Sequence, residues 1–130
     1  MMLYVDSSAF ARAISCREDG VGVRALFADH PNELISSTLL DVEVGRAIAR
    51  SGEDHSPLVA ALLATVQRVD ISRGIISSAA QAALGSKLRS LDAIHLATAL
   101  AVPEAVTVVT YDRRLAEACL SAGVATLAPA

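Results

Sequence analysis

Short apolar runs alternate with longer helical patterns along this chain, and that alternation is the feature that most limits its fold. Strands are predicted over 3–5, 34–36, 69–71, 105–110 and 124–127. Helices are predicted over 7–15, 20–29, 38–50, 56–67, 73–83, 91–101 and 112–121. Such a pattern indicates an α/β fold, a parallel sheet with helices on both faces. Ligands bind at the carboxyl ends of the strands in such sheets, so the residues that follow each strand are the first candidates for a site.

Composition supports one domain over residues 1–130. The chain is 53% hydrophobic but only 3% aromatic and has no Trp, so its core must be aliphatic. A net charge of −3 gives no general attraction to nucleic acid, and any RNA contact would need a local basic patch. Cys16 and Cys119 fit neither a zinc nor a CxxC spacing, and reduced thiols are expected. With no signal peptide or membrane-spanning run, a cytoplasmic protein is expected.

The segment LRSLDAIHLATAL, 88–100, places two polar side chains in an almost wholly apolar helix. Asp92 falls in the first turn, where the helix dipole favours an acid and where Ser90 is a candidate cap. Burying an isolated carboxylate is costly, however, so a partner for Asp92 is expected. His95, one turn later, is placed either to hydrogen-bond Asp92 or to pack as a satisfied core histidine, and the structural role is favoured.

Three further acids accompany the predicted strands. Asp6 directly follows the first strand, and Asp112 follows the strand over 105–110. Each can cap the next helix, and for Asp112 alone that is the favoured interpretation. Glu43 lies within the apolar arc of the helix over 38–50, whereas Asp41 falls at its edge and is expected to be solvated. Arg46, at i+3 from Glu43, is placed either to pair with it or to face a phosphate backbone.

Asp6, Glu43, Asp92 and Asp112 are therefore expected to meet at the carboxyl edge of the sheet. Like charges gathered in a cleft repel each other unless a cation is present. An all-oxygen set of carboxylates is what Mg²⁺ or Mn²⁺ prefers, and such an ion can activate water and bind a phosphate. The chemistry predicted from the residues is metal-assisted hydrolysis of a phosphodiester.

The chain resembles the PIN-domain family, and within it the VapC-type ribonuclease toxins of toxin–antitoxin pairs. Four segments carry the resemblance: YVDSSAF, ISSTLLDVEVGRAI, LRSLDAIHLATAL and VVTYDRRLAEACLSAGV. It gives metal-site and catalytic roles to Asp6, Glu43, Asp92 and Asp112, and supporting hydroxyls to Ser8 and Thr110. All four acidic positions of the family pattern are filled.

The resemblance also implies properties that residue spacing alone does not predict. These are a five-stranded, mainly parallel sheet of order 3-2-1-4-5, Mg²⁺- or Mn²⁺-dependent endoribonuclease activity, and a homodimer. A small VapB-like antitoxin is implied as an inhibitor whose tail occupies the acidic cleft. The arginines that are candidates for guiding RNA are Arg46, Arg89, Arg113 and Arg114. Each of these, taken singly, is equally well explained as solvated surface.

Other α/β families of this size fit less well. Phosphatases of the haloacid dehalogenase type need a second Asp where this chain has Ser8, and response regulators need an acidic pair after the first strand. No GxGxxG or Walker A motif indicates a nucleotide site. A non-catalytic RNA- or partner-binding module on the same fold stays open as the alternative to an enzyme.

Overall fold

The computed structural model describes residues 1–15, 17–51 and 56–130, excluding the side chains of residues 51 and 56. Its strands are β1 (Met2–Val5), β2 (Leu34–Ser37), β3 (Val66–Val69), β4 (Val106–Val109) and β5 (Ala125–Leu127). Its helices are α1 (Ser7–Ile14), α2 (Val21–Asp29), α3 (Leu39–Ser51), α4 (Ser56–Thr65), α5 (Arg73–Leu84), α6 (Ser90–Ala101) and α7 (Arg113–Ser121). A single 3₁₀ turn, Glu18–Gly20, precedes α2.

All five strands are parallel and lie in the order β3-β2-β1-β4-β5, which confirms the predicted sheet. The central strand β1 pairs with β2 on one side and β4 on the other. Leu3 lies opposite Leu34 of β2 and opposite Thr107 of β4. The Asp6 N–H extends this ladder by donating to the Val109 carbonyl, so residue 6 and residue 110 leave the sheet side by side.

The two faces of β1 supply two aliphatic cores. Leu3 and Val5 pack with Phe10 of α1 on one face, and Tyr4 packs with Leu96 of α6 and Leu115 of α7 on the other. Because successive side chains of a strand point to opposite faces, one four-residue strand serves both cores. Burial on both faces explains why β1 is continuously apolar.

Helix α6 is buried on most sides along its centre, where residues 95–99 are all buried. Ala93 and Ala97 pack against Ile75 and Ala79 of α5, while Leu91 and Leu100 are 47% and 53% exposed. Burial on most sides explains why the helix is apolar almost all round, and Leu91 and Leu100, near its two ends, are the large apolar exceptions. Ser90 is not its cap, because the helix begins at Ser90 and the capping position is Arg89, whose side chain makes no capping bond.

The region around β3 departs from the predicted boundaries. The helix expected to reach residue 67 ends at Thr65, and the strand expected over 69–71 occupies Val66–Val69. As an edge strand that pairs only with β2, β3 buries Val66 and leaves Gln67 and Arg68 exposed, so it lacks an alternating pattern. Cys16 and the helix end expected near Gly52 lie outside the described residues.

Two smaller expectations concern the thiols and the membrane. Cys119 is buried in α7 as a free thiol. Among the helices of the described ranges, none combines the length and apolarity that crossing a bilayer requires.

Candidate metal centre at the carboxyl edge of the sheet

Asp6 lies at the centre of the carboxyl edge and is almost fully buried, with 2% of its surface exposed. Its Oδ1 accepts hydrogen bonds from the Ser8 hydroxyl at 2.7 Å and the Ala9 N–H at 2.9 Å. Its Oδ2 accepts one from the Thr110 hydroxyl at 2.6 Å. Burial raises the pKa of Asp6, and these hydrogen bonds oppose the rise. Asp6 therefore caps α1, as the sequence allows it to do.

The hydroxyls of Ser8 and Thr110 are oriented by the backbone that follows β4. The Tyr111 N–H donates to Ser8 Oγ at 2.9 Å, and the Asp112 N–H donates to Thr110 Oγ1 at 3.0 Å. Since an amide can only donate, both hydroxyl oxygens act as acceptors there and direct their protons to Asp6. The two residues predicted as supporting hydroxyls thus both contact the Asp6 carboxylate.

Glu43 reaches the same edge from α3 with its side chain 14% exposed. Its Oε2 accepts from the Ser7 hydroxyl at 3.1 Å, and its Oε1 lies 2.5 Å from His95 Nε2. Of the two roles open to Arg46, pairing with Glu43 is not seen among the described contacts, in which Ser7 and His95 hold this carboxylate. Asp41, in contrast, is exposed and pairs with Arg68, as expected of a solvated acid.

His95 is a satisfied buried histidine, and its two ring nitrogens hydrogen-bond Tyr4 and Glu43 rather than Asp92. Its ring is 1% exposed, and Nδ1 lies 2.7 Å from the hydroxyl of Tyr4 on β1. Ser7 and Tyr4 are the site contacts that sequence reasoning missed. Ser7 could have been predicted from its position next to Ser8. Neighbouring residues on a helix point about 100° apart, so the two hydroxyls at the start of α1 can bind different carboxylates. Tyr4 gave no signal, because it stands within an apolar strand.

Asp112 caps α7 and borders the same space. Its Oδ1 accepts from the Arg114 and Leu115 N–H groups at 2.9 and 3.2 Å. The capping role favoured from sequence is therefore present, and it occupies only one of the two carboxylate oxygens.

Asp92, in the first turn of α6, is only partly buried and stands among the other acids. Burial raises its pKa, and the negative charges of Asp112, Asp6 and Glu43 raise it further, in that order. His95 opposes the rise. Within the described ranges, no hydrogen bond or ion pair compensates the Asp92 carboxylate. Three neighbouring carboxylates thus repel Asp92, which is the one acid of the four that accepts no hydrogen bond among the described residues.

The donor set fits a hard divalent cation. A carboxylate offers about four lone-pair positions, and the contacts above leave at least one unused on each of the four acids. Within the part of the chain described, no three His, Cys, Asp or Glu side chains already form a close ligand cluster. A cation would therefore be held partly through water, as Mg²⁺ commonly is.

The four predicted arginines lie in different places. Arg46 lines a cleft of about 300 Å³ beside the acids, together with Ser7, Ser8, Glu43, Arg50 and Leu91. Arg114 lines a separate depression of about 420 Å³ with Lys87. Arg89 and Arg113 are exposed at the first turns of α6 and α7. Arg46 therefore lies in a cleft that also contains the candidate carboxylate Glu43.

Known proteins resemble this chain over nearly its whole length. Residues 3–120 match the sequence profile described as PIN domain. Ribonuclease VapC35 of Mycobacterium tuberculosis is 38% identical over 133 residues, covering 98% of this chain and 97% of that protein. Ribonuclease VapC46 of the same species is 34% identical with the same coverage.

Solved structures show the same fold. The crystal structure of Mycobacterium tuberculosis VapC20, a sarcin–ricin loop cleaving toxin, superposes with a TM-score of 0.73 at 15% identity, covering 89% of this chain and 94% of that one. A toxin–antitoxin complex from Klebsiella pneumoniae gives 0.70 at 20% identity, covering 89% and 90%. Together with the full-length sequence matches, these findings confirm the resemblance: the chain belongs to the PIN-domain family, in its VapC group.

Proposed function

We propose that this protein is a Mg²⁺- or Mn²⁺-dependent endoribonuclease that acts as the toxin of a type II toxin–antitoxin pair. The proposal rests mainly on one observation: the carboxylates of Asp6, Glu43 and Asp112 lie close enough to Asp92 to raise its pKa. Asp6 follows β1, Asp112 follows β4, and Glu43 and Asp92 lie in α3 and α6. The ribonuclease names of its VapC relatives support RNA as the substrate.

Asp6, Glu43, Asp92 and Asp112 are the proposed ligands, directly or through water. When bound, the divalent ion would supply an activated water and stabilise charge that develops on the scissile phosphate. The protein's own contribution is to hold the ligands still. Asp6 is fixed by the Ser8 and Thr110 hydroxyls and the Ala9 amide, and Glu43 is fixed by Ser7 and His95.

RNA must approach a cleft that carries several negative charges. Arg46, which lines the cleft beside Glu43, is the best-placed cation for the phosphate backbone. Arg89, Arg113 and Arg114 stand at the first turns of α6 and α7, where the proposed ligands Asp92 and Asp112 also lie. We assign them a secondary role in guiding the strand.

A protein partner is also proposed. The toxin–antitoxin complex among the structural neighbours supports a small VapB-like antitoxin for this chain. Its tail would occupy the acidic cleft, and the toxin itself would be a homodimer. Purified complex from co-expression should lose RNA cleavage and regain it when the antitoxin is removed.

The decisive experiment is cleavage of a labelled cellular RNA pool by purified protein with Mn²⁺, Mg²⁺ or EDTA. Wild-type protein should give discrete fragments that require metal, and Asp92→Asn should give none. Asp29→Asn, which neutralises an exposed acid at the end of α2, is the matched control and should cleave normally. Cleavage that survives EDTA or Asp92→Asn would refute the proposal, and RNA retention without cleavage would favour the non-catalytic binding module.

A further inference from the structure

A buried chain of three side chains joins the sheet to the candidate metal centre. The Tyr4 hydroxyl on β1 lies 2.7 Å from His95 Nδ1 on α6, and His95 Nε2 lies 2.5 Å from Glu43 Oε1 on α3. Tyr4 and His95 are almost completely buried, whereas Glu43 is part-exposed at the cleft. The chain therefore runs from the core to the site.

The direction of the hydrogen bonds follows from what each group can donate. An ionised carboxylate only accepts, so Nε2 carries the proton that it shares with Glu43. In the neutral ring Nδ1 is then an acceptor and needs a donor. Burial raises the pKa of Tyr4, so its hydroxyl keeps the proton that it donates to Nδ1. The hydroxyls of Ser36 and Thr98, which also contact Tyr4, direct their own protons to backbone carbonyls.

We propose that His95 is a positioning residue for the metal centre, which holds Glu43 Oε1 so that the remaining lone pairs of this carboxylate face the cation. This inference rests on the proposed function. Ser7 holds the second oxygen from the opposite side at 3.1 Å, so the carboxylate is gripped between α1 and α6. A glutamate at the rim of a cleft would otherwise sample several rotamers, and holding one of them lowers the entropy lost when a cation binds.

Outer contacts of this kind have measurable effects on metal sites. Removing a hydrogen-bond partner of a metal ligand commonly weakens metal binding about 10- to 100-fold. A histidine that only fills the core would affect folding stability and leave metal affinity unchanged. Metal affinity, measured apart from cleavage, therefore separates the two roles.

The test is calorimetric titration of metal-free protein with Mn²⁺. His95→Leu fills similar space without a donor and should weaken binding about 10- to 100-fold. His95→Gln carries an amide that can take the place of Nε2 and should recover most of the affinity. Val23→Ala truncates a buried core side chain of α2, a helix that carries none of the proposed ligands, and it should bind Mn²⁺ as the wild type does.

A double variant tests whether His95 acts through Glu43. If it does, His95→Leu with Glu43→Gln should bind Mn²⁺ no more weakly than Glu43→Gln alone. Independent losses that multiply in the double variant, or wild-type affinity in His95→Leu, would overturn the inference. If His95→Leu does not fold, His95→Asn decides, because its amide can face Tyr4 but is too short to reach Glu43. Failure of the wild type to bind Mn²⁺ would instead refute the cation site itself.

Discussion

Individual side chains at the carboxyl edge serve the fold and the proposed chemistry together. Asp6 caps α1 through the Ala9 N–H and is also the most buried of the four acids. Asp112 caps α7 with Oδ1, and these capping bonds do not use Oδ2. Interpreting each aspartate as a helix cap was therefore correct but incomplete, because a capping carboxylate retains unused lone pairs.

Removing the Thr110 hydroxyl should destabilise the protein. In Thr110→Val, Asp6 loses a 2.6 Å donor and the Asp112 N–H loses its acceptor. Leaving such buried groups unpaired costs about 1–3 kcal/mol, which denaturant unfolding measures. Thr107→Val is the control, since Thr107 lies in β4, which Thr110 directly follows, and forms none of these hydrogen bonds. Equal losses in both variants would contradict the assigned hydrogen bonds.

The stability of the metal-free protein should depend on pH through Asp92. Its pKa is raised in the folded state, mainly by burial and then by Asp112, so the folded form binds the proton more tightly than the unfolded form. Stability is therefore lost as pH rises from the ordinary carboxyl pKa through the raised one. Asp92→Asn removes this loss.

Thermal unfolding in EDTA checks this expectation. Wild type and Asp92→Asn should have similar melting temperatures well below the ordinary carboxyl pKa, and Asp92→Asn should melt higher above the raised pKa. Asp29→Asn, at an exposed position, should follow the wild type throughout. A variant that is less stable than wild type at neutral pH would argue against repulsion at Asp92.

At the level of elements, α7 allows capping and charge to be separated at Asp112. Asn is as good a cap as Asp, whereas Ala loses about 0.5–2 kcal/mol. Asp112→Asn should keep the stability of the wild type and lower RNA cleavage about 10- to 100-fold, if the carboxylate serves the metal site. Asp112→Ala should lose both folding stability and RNA cleavage.

Ser72→Ala provides the matched control for that pair. Ser72 caps α5 through the Ile75 N–H, so its loss should lower stability and leave cleavage per folded molecule unchanged. Full activity in Asp112→Asn would restrict Asp112 to capping.

The elements also mark where sequence patterns sufficed. Strands β1, β2 and β4 were predicted to within one or two residues, because their apolar runs are bounded by polar or helical patterns. Strand β3 was misplaced by three residues, because an edge strand with Gln67 and Arg68 exposed has no distinctive period. Helix α6 was predicted to within one residue, and its apolar pattern matches burial on most sides, with Leu91 and Leu100 exposed near its two ends.

For the whole molecule, the closeness of the two acids that follow strands could be predicted from one rule, whereas the hydrogen-bond partners of the acids could not. Parallel strands share a carboxyl edge, so Asp6 and Asp112 were expected near each other. The order of the strands came from family resemblance, since alternation alone allows several orders. The contact of His95 with Tyr4 and Glu43 joins residues 91 and 52 positions apart, and no local pattern encodes such a pairing.

Whole-molecule charge makes a further prediction about RNA binding. The net charge is −3, so affinity for RNA must come from local cations such as Arg46. Arg46→Gln should weaken RNA binding for all sequences and reduce the slope of log affinity against log salt by about 0.7, the value for one single-strand phosphate contact. Fluorescence anisotropy with the Asp92→Asn background, which prevents cleavage, measures it.

Arg17→Gln is the control for this experiment. Arg17 is exposed beyond the carboxyl-terminal end of α1, and that end points away from the edge where α1 begins. In Arg17→Gln, the slope of log RNA affinity against log salt should equal that of the Asp92→Asn protein without the arginine substitution. An unchanged slope in Arg46→Gln would remove Arg46 from the RNA path.

The most direct test of the central claim is anomalous scattering from crystals of this protein soaked in Mn²⁺. We expect a peak in the space shared by Asp6, Glu43, Asp92 and Asp112, joined to their carboxylates directly or through one water, and no peak there in Asp92→Asn crystals. A wild-type peak elsewhere, or none at this edge at saturating Mn²⁺, would contradict a carboxylate metal centre.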